Sequence, residues 1–433
     1  MGLGSIWRFP YLAGSSGGAA FIIVFVLASL LIATPLLVAE LALGRRSRCS
    51  PPQAAKEVAR QCGESSAWNA IGVLGTVAAF LIVSYYMVIA GWVLAYTWKC
   101  AAGVLSHSGP AHVSALWPQF LARPWEMGGW HLAFVLLAGV ISARGLNRGI
   151  EFANRVRGPA LLLLLLILVV YSLNTADVKH GLAFAFRPDF SALNANAVLS
   201  AIGQAFYATG VGQAMMIAYG AYVPAGTSLV RTSIGITGSI LLVSLLATLI
   251  VFPLVFAYGL DPAQGSQLVF EVLPRVFTEM PAGRPIGTLF FLLLVLAALM
   301  PSIASLEPTV AWLVQRFGLS RVPAVILTTA AAWVLGVGSV LSFSTLTDWR
   351  PLGFIPGFEA RTFFDTMDYV CSNILLPVGA FLTSLFFGYR VSKQFSEDDL
   401  TESSHATRRA VVALLRYLCP LAIACVFVVA MMS

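Results

Sequence analysis

The chain has 433 residues, of which 58% are hydrophobic and 10% charged, with a formal net charge of +7. An ordinary soluble domain carries roughly a quarter charged residues. At a mean hydropathy of +0.85 a water-soluble globule cannot hide this much apolar surface, which excludes soluble enzymes, nucleic-acid binders and disordered chains.

A helix needs about 20 apolar residues to cross the hydrocarbon core. Ten charge-free stretches of 17 residues or more are read as spans: 9–39, 65–98, 127–143, 158–176, 190–230, 232–260, 285–306, 322–347, 369–389 and 417–433. A stub beginning at Met1 runs into the first, so eleven helical elements are expected. Barrel strands alternate at period two, whereas Ala160–Tyr171 is apolar all round. No basic n-region or A-x-A site precedes the first apolar run, so no cleavable signal peptide is read. With the loop after the second span in the cytoplasm, the inner side carries sixteen basic residues, among them Arg45, Arg46, Arg48, Arg155 and Arg157, against eight outside. The positive-inside rule selects this orientation. The outer loops 104–128 and 258–284 hold proline, glycine and aromatic residues and are expected to form short helices. The six cysteines lie far apart without a CxxC spacing, and His107, His112, His131, His180 and His405 are placed in or near loops. Neither a disulfide framework nor a metal site is read from them.

Two segments break the lipid-packing pattern. One is the stub, Gly2-Leu3-Gly4-Ser5-Ile6-Trp7-Arg8-Phe9-Pro10; the other is Gly203–Gln213, in the middle of the 190–230 stretch. Each sets glycines two apart beside polar and aromatic residues at membrane depth. Unwound backbone survives there only when it is buried in protein or lines a wet cavity. Glycines for close helix packing are the plainer explanation of either segment alone. The two open corresponding halves of a ten-span core, however, and paired interruptions point to a transporter site.

Gly2-Leu3-Gly4-Ser5-Ile6-Trp7-Arg8-Phe9-Pro10-Tyr11 resembles the GLGNxWRFPY signature of the neurotransmitter:sodium symporters. Glu40–Arg45 is similar to the family's E-x-x-x-G-[RQ], Tyr85-Tyr86 to its third-span tyrosine pair, and Gly149–Asn154 to GIE-x-x-[NS]. Gly203–Tyr207 resembles GQ-x-FF, and Asp365–Tyr369 resembles D-x-x-D-Y. The resemblance implies an all-α polytopic membrane protein of the LeuT-like fold. That fold is a five-plus-five inverted repeat with broken first and sixth helices. The transporter core would be 1–390, with a cytoplasmic loop and eleventh helix over 391–433. The family's first helix has an inner half before the break. This sequence starts at the break, so a truncated first helix is expected, with an upstream start codon as the other explanation.

The same resemblance implies an amino acid or related amine held at the broken helices. Backbone groups of Leu3 and Gly4 would meet it, and Tyr86 would give its hydroxyl to the carboxylate. Ile82 would touch the side chain and Tyr207 would form a lid. Thr209, Gly210 and Gln213 would face Pro301 and Ser305. Gln213 stands where the family commonly has an apolar residue, and an amide there suits a polar substrate side chain. Arg8 and Asp368 resemble the outer gate, with Gln204 nearby.

At the sodium positions the chain departs from the family. Ser5 replaces the Asn of the signature, Ala208 replaces a hydroxyl residue, and about Ile240 replaces an Asn or Asp. Met300 and Pro301 fall where the second site has a hydroxyl pair, leaving carbonyls such as that of Ala297. Sodium wants several hard oxygen ligands, so sodium coupling is not expected from these side chains. Ser244 is the nearest counterpart of an acid used by chloride-independent members, and Gln315 holds the place of an inner-gate Asp.

The expectation is a secondary transporter of an amino acid or similar zwitterion, with no cofactor, sodium remaining open as the family's ion. Its partners would be the small-molecule substrate and membrane lipid, without nucleic acid, and a homodimer is open. The bacterial cytoplasmic membrane is the expected location. A non-transporting sensor of the same fold is the alternative. An enzyme is disfavoured, because no paired acids, Ser-His-Asp set or metal cluster lies in the spans.

Overall fold

The computed structural model describes residues 2–105, 110–145, 151–175, 177–257 and 268–432. Gly149 and Ile150 of the motif before the fifth span, and His107, lie outside these residues. Among the described residues the structure is helical, with one isolated bridge between Gly18 and Pro188. A π-helical turn, Gly4–Arg8, leads into α1 (Phe9–Ser15). Gly17 and Gly18, at φ +87° and +58°, turn the chain into α2 (Ala19–Ser47). There follow α3 (Pro51–Gln61), α4 (Ser66–Ala101), α5 (Pro110–Leu121), α6 (Pro124–Ala143), α7 (Phe152–Thr175) and α8 (Val178–Phe186). The second half holds α9 (Ala195–Thr209), α10 (Met215–Gly220), α11 (Leu229–Ala257), α12 (Leu273–Glu279) and α13 (Gly283–Phe317). It ends with α14 (Arg321–Ser342), α15 (Phe363–Arg390) and α16 (His405–Val428).

Among the described residues nine helices are long and apolar enough to cross a membrane: α2, α4, α6, α7, α11, α13, α14, α15 and α16. The other two expected elements are the stub and the 190–230 stretch. The latter is split into α9 and α10, each too short to cross alone. Lipid-facing surface is visible on α7, where Leu163 and Val170 are each 60% exposed. Trp98 and Trp125, at the loop ends of α4 and α6, are exposed as interfacial aromatics are. The short helices expected in the outer loops are α5 and α12.

Two buried clusters form the interior. One is built on α4 and α13 and the other on α2, α9 and the second half of α15. The stub joins them, with Leu3 and Ile6 in the first and Phe9 and Ala13 in the second. The stub therefore sits at the seam between the two clusters. Small residues allow this: at Gly44 an added Cβ would run into the Ile217 carbonyl, so α2 and α10 pack backbone against backbone.

The structure corrects two expectations. Residues 3–5 are helical rather than unwound, and the free amides of that segment are those of a helix N-terminus. His131 is not at a loop: it is fully buried in α6, against Gly91 and Gly336. A local feature of α15 offers a test of its outer end. Thr362 caps the helix: its hydroxyl accepts from the Asp365 amide, while the Asp365 carboxylate accepts from the Thr362 amide. Thr362→Ala should cost about 1 kcal/mol, read as a lowered thermal midpoint of the purified protein.

Candidate functional site

The helical break after Thr209 is made by backbone conformation. Gly210 and Gly212 have φ +72° and +84°, and Ala214 has φ +53°, so the chain leaves α9 and re-enters helix only at Met215. The opened backbone is held by Glu40 of α2. This carboxylate is 1% exposed, and its Oε1 accepts from the Gly212 amide at 2.7 Å. A charged group costs several kcal/mol in this setting, so its place beside an amide freed by the break is one of the few where it is tolerated.

A cavity of about 500 Å³ lies against this break. It is walled by the stub, α4, α7, the α9–α10 break, α11 and α13. Gly4, Ile82, Tyr86, Tyr207, Thr209, Gly210, Gln213, Pro301 and Ser305, all expected at a substrate site, line it together. Leu3 does not line it, but its amide donates to the Tyr86 hydroxyl at 3.2 Å. That bond uses the oxygen of Tyr86 as acceptor and leaves its proton to be donated elsewhere. The Tyr207 ring lies on Gly4, where a Cβ would stand 2.7 Å from its edge. Gly4 thus lets the ring approach the backbone closely.

Two of the expected polar linings are partly used internally. Thr209 donates to the Ala205 carbonyl at 2.7 Å, and Ser305 lies 3.3 Å from the Met215 sulfur. Gln213 is 3% exposed and lines the cavity wall. The methionines Met215, Met216 and Met300 make much of the remaining wall apolar and deformable.

The gate residues take partners other than those expected. Gln204 donates to the Gly4 carbonyl at 2.8 Å, tying the stub to α9. Arg8 lies over the Tyr207 ring, 4.7 Å from its centre. Asp368 accepts from the Tyr85 hydroxyl at 3.0 Å and from Ser372 at 3.2 Å. Among the described residues no Arg8–Asp368 ion pair is formed, so the expected closure is not the arrangement of this structure. A cation over an aromatic face and a carboxylate with two hydroxyl donors are each partnered well enough to stay apart.

Of the positions expected for sodium, Ser5 and Ala208 line the cavity and Ala297 is fully buried. Ile240 and Met300 also line it, and Gln315 accepts from the Ser50 amide at 2.7 Å. Sequence reasoning missed Arg157, which it counted among cytoplasmic charges. Arg157 is 6% exposed, lines the same cavity, and donates from Nη1 to the Leu296 carbonyl at 3.3 Å. Helical phase holds the signal that would have found it. Leu161, Leu165, Leu168 and Ser172 follow it at spacings of three and four, and all are buried.

The family model described as the sodium:neurotransmitter symporter family matches residues 1–114 and 125–433. The chain is 36% identical to an uncharacterised sodium-dependent transporter, YhdH of Bacillus subtilis, covering 99% of this chain and 93% of that one. It is 30% identical to an uncharacterised sodium-dependent transporter of Haemophilus influenzae, covering 99% and 94%. Its structure is similar to that of MhsT, crystallised with L-phenylalanine. The TM-score is 0.90 and the identity 37%, over 99% of this chain and 96% of MhsT.

Proposed function

Since the chain belongs to the sodium:neurotransmitter symporter family of integral membrane transporters, we propose that its solute is an amino acid with a polar side chain. It would be moved by alternating access across a bacterial cytoplasmic membrane. The observation that carries this reading is the Tyr86 hydroxyl, held by the Leu3 amide at the edge of a 500 Å³ cavity. A carboxylate placed there meets that hydroxyl and the N-terminal amides of the stub, whose helix dipole favours an anion. Thr209 and Gly210, at the C-terminal end of α9, line the same cavity, and the dipole of that end favours an ammonium. Opposite helix ends therefore suit the two charges of a zwitterion. That MhsT was crystallised with L-phenylalanine supports the same class of ligand. Gln213, on the cavity wall, supports a substrate whose side chain exchanges hydrogen bonds with an amide.

The test is uptake of radiolabelled amino acids into proteoliposomes under sodium, potassium and proton gradients. Saturable uptake of glutamine, asparagine or serine is the expected result, and saturable binding without uptake in any gradient would identify a sensor instead. Gln213→Leu should shift preference from polar to aliphatic or aromatic side chains by roughly tenfold, the value of one uncharged hydrogen bond. Competition by unlabelled leucine and glutamine measures it.

A further inference from the structure

At the two positions where the resemblance expects sodium, the side chains lack most of the oxygen ligands that the ion would need. At the first site Ser5 keeps a buried hydroxyl, but Ala208 and Ile240 have no oxygen in their side chains. At the second, Met300 and Pro301 offer no hydroxyl. Pro301 also has no amide to donate to Ala297, so that carbonyl, four residues earlier in α13, loses its helical donor. The residues present therefore do not fit a hard monovalent cation at either place.

A different cation lies in the same cavity as Met300 and Pro301. The Arg157 guanidinium comes from α7, lines the cavity with Tyr86 and Pro301, and donates to the Leu296 carbonyl, next to Ala297. An arginine at 6% exposure inside a transmembrane bundle is costly unless its charge is used. Its fork of five N–H donors matches carbonyl oxygens, and unlike an ion it cannot dissociate. We propose that Arg157 is a resident cation that takes the place of the second sodium ion, tying α7 to α13 without an ion from solution. The inference rests on the transporter reading for the identity of the site. It extends that reading by making the charge at this place part of the chain. Transport would then draw no coupling energy from this position, and any gradient used would act elsewhere.

The test does not depend on a substrate. Binding of sodium-22 to the purified protein, and its thermal midpoint in sodium chloride against choline chloride at equal ionic strength, are measured for wild type and three variants. Wild type should show no saturable sodium binding and the same midpoint in both salts. Arg157→Lys, which keeps the charge, should behave in the same way. Arg157→Gln should have a lowered midpoint in both salts. Arg157→Ala combined with Met300→Thr and Pro301→Ser restores hydroxyl ligands and removes the resident charge, and should gain saturable sodium binding and a sodium-dependent rise in midpoint. Saturable sodium binding by wild type overturns the proposal, as does an Arg157→Gln midpoint equal to that of wild type. If wild type binds neither sodium nor any amino acid, this inference stands and the substrate reading falls.

Discussion

Tyr86→Phe should weaken amino-acid binding by roughly ten- to a hundredfold, the value of about 1.5–3 kcal/mol for a hydrogen bond to a charged group. The phenol oxygen accepts from the Leu3 amide and its proton is free to be donated into the cavity. The substitution removes both at once while keeping the ring that packs beside Ile82. The Leu3 amide, at the start of a helix, loses its partner but gains access to the cavity. Stability should therefore change less than affinity. Equilibrium binding of the labelled amino acid, with the thermal midpoint measured in parallel, separates the two. An unchanged affinity would mean that the carboxylate is held elsewhere, and the opposed-dipole account of the site would fail.

Gly212→Ala should be among the most damaging single-methyl additions in the chain. Gly212 sits at φ +84°, where an L side chain costs about 1–2 kcal/mol. Its added Cβ would stand 2.6 Å from the Leu376 carbonyl of α15, and that neighbour is backbone. Relief requires a shift of the break or of α15, for a further 1–3 kcal/mol or so. The same shift pulls the Gly212 amide from Glu40, leaving a buried carboxylate oxygen without its donor. A total of on the order of 3 kcal/mol or more is expected, seen as a large drop in midpoint and loss of uptake. Gly210→Ala is the comparison. Its φ is similarly positive, at +72°, but the atom in the way is the flexible end of Met215, which can rotate aside. Gly210→Ala should therefore cost less.

Several parts of the site were readable from residue order. The signature around Gly2–Tyr11, the tyrosine pair and the glycines of 203–213 identify the elements that meet at the cavity. They do so because the roles of these residues are local: positive φ, close ring contact, or a hydroxyl at one helical position. Glu40 was readable as a motif residue but its work was not. Its partner is the Gly212 amide, 172 residues away. The expected Arg8–Asp368 pair is not formed in this structure for a related reason. Arg8 and Asp368 have the right charges for each other, yet each has a nearer partner in Tyr207 and Tyr85, and proximity is a product of packing.

The amino-acid sequence alone determined that this is a bundle of apolar helices interrupted within 203–213, because hydropathy and glycine spacing act over a few turns of one helix. It also determined that Ala208, Met300 and Pro301 bring no side-chain oxygen to the positions where the resemblance expects sodium ligands, since a missing oxygen is a property of the residue itself. Only the tertiary structure decided where the positive charge of Arg157 goes. At the border of an apolar run, an arginine can extend to the headgroups or turn inward. Here the buried phase of α7 and a carbonyl 139 residues away on α13 turn it into the cavity.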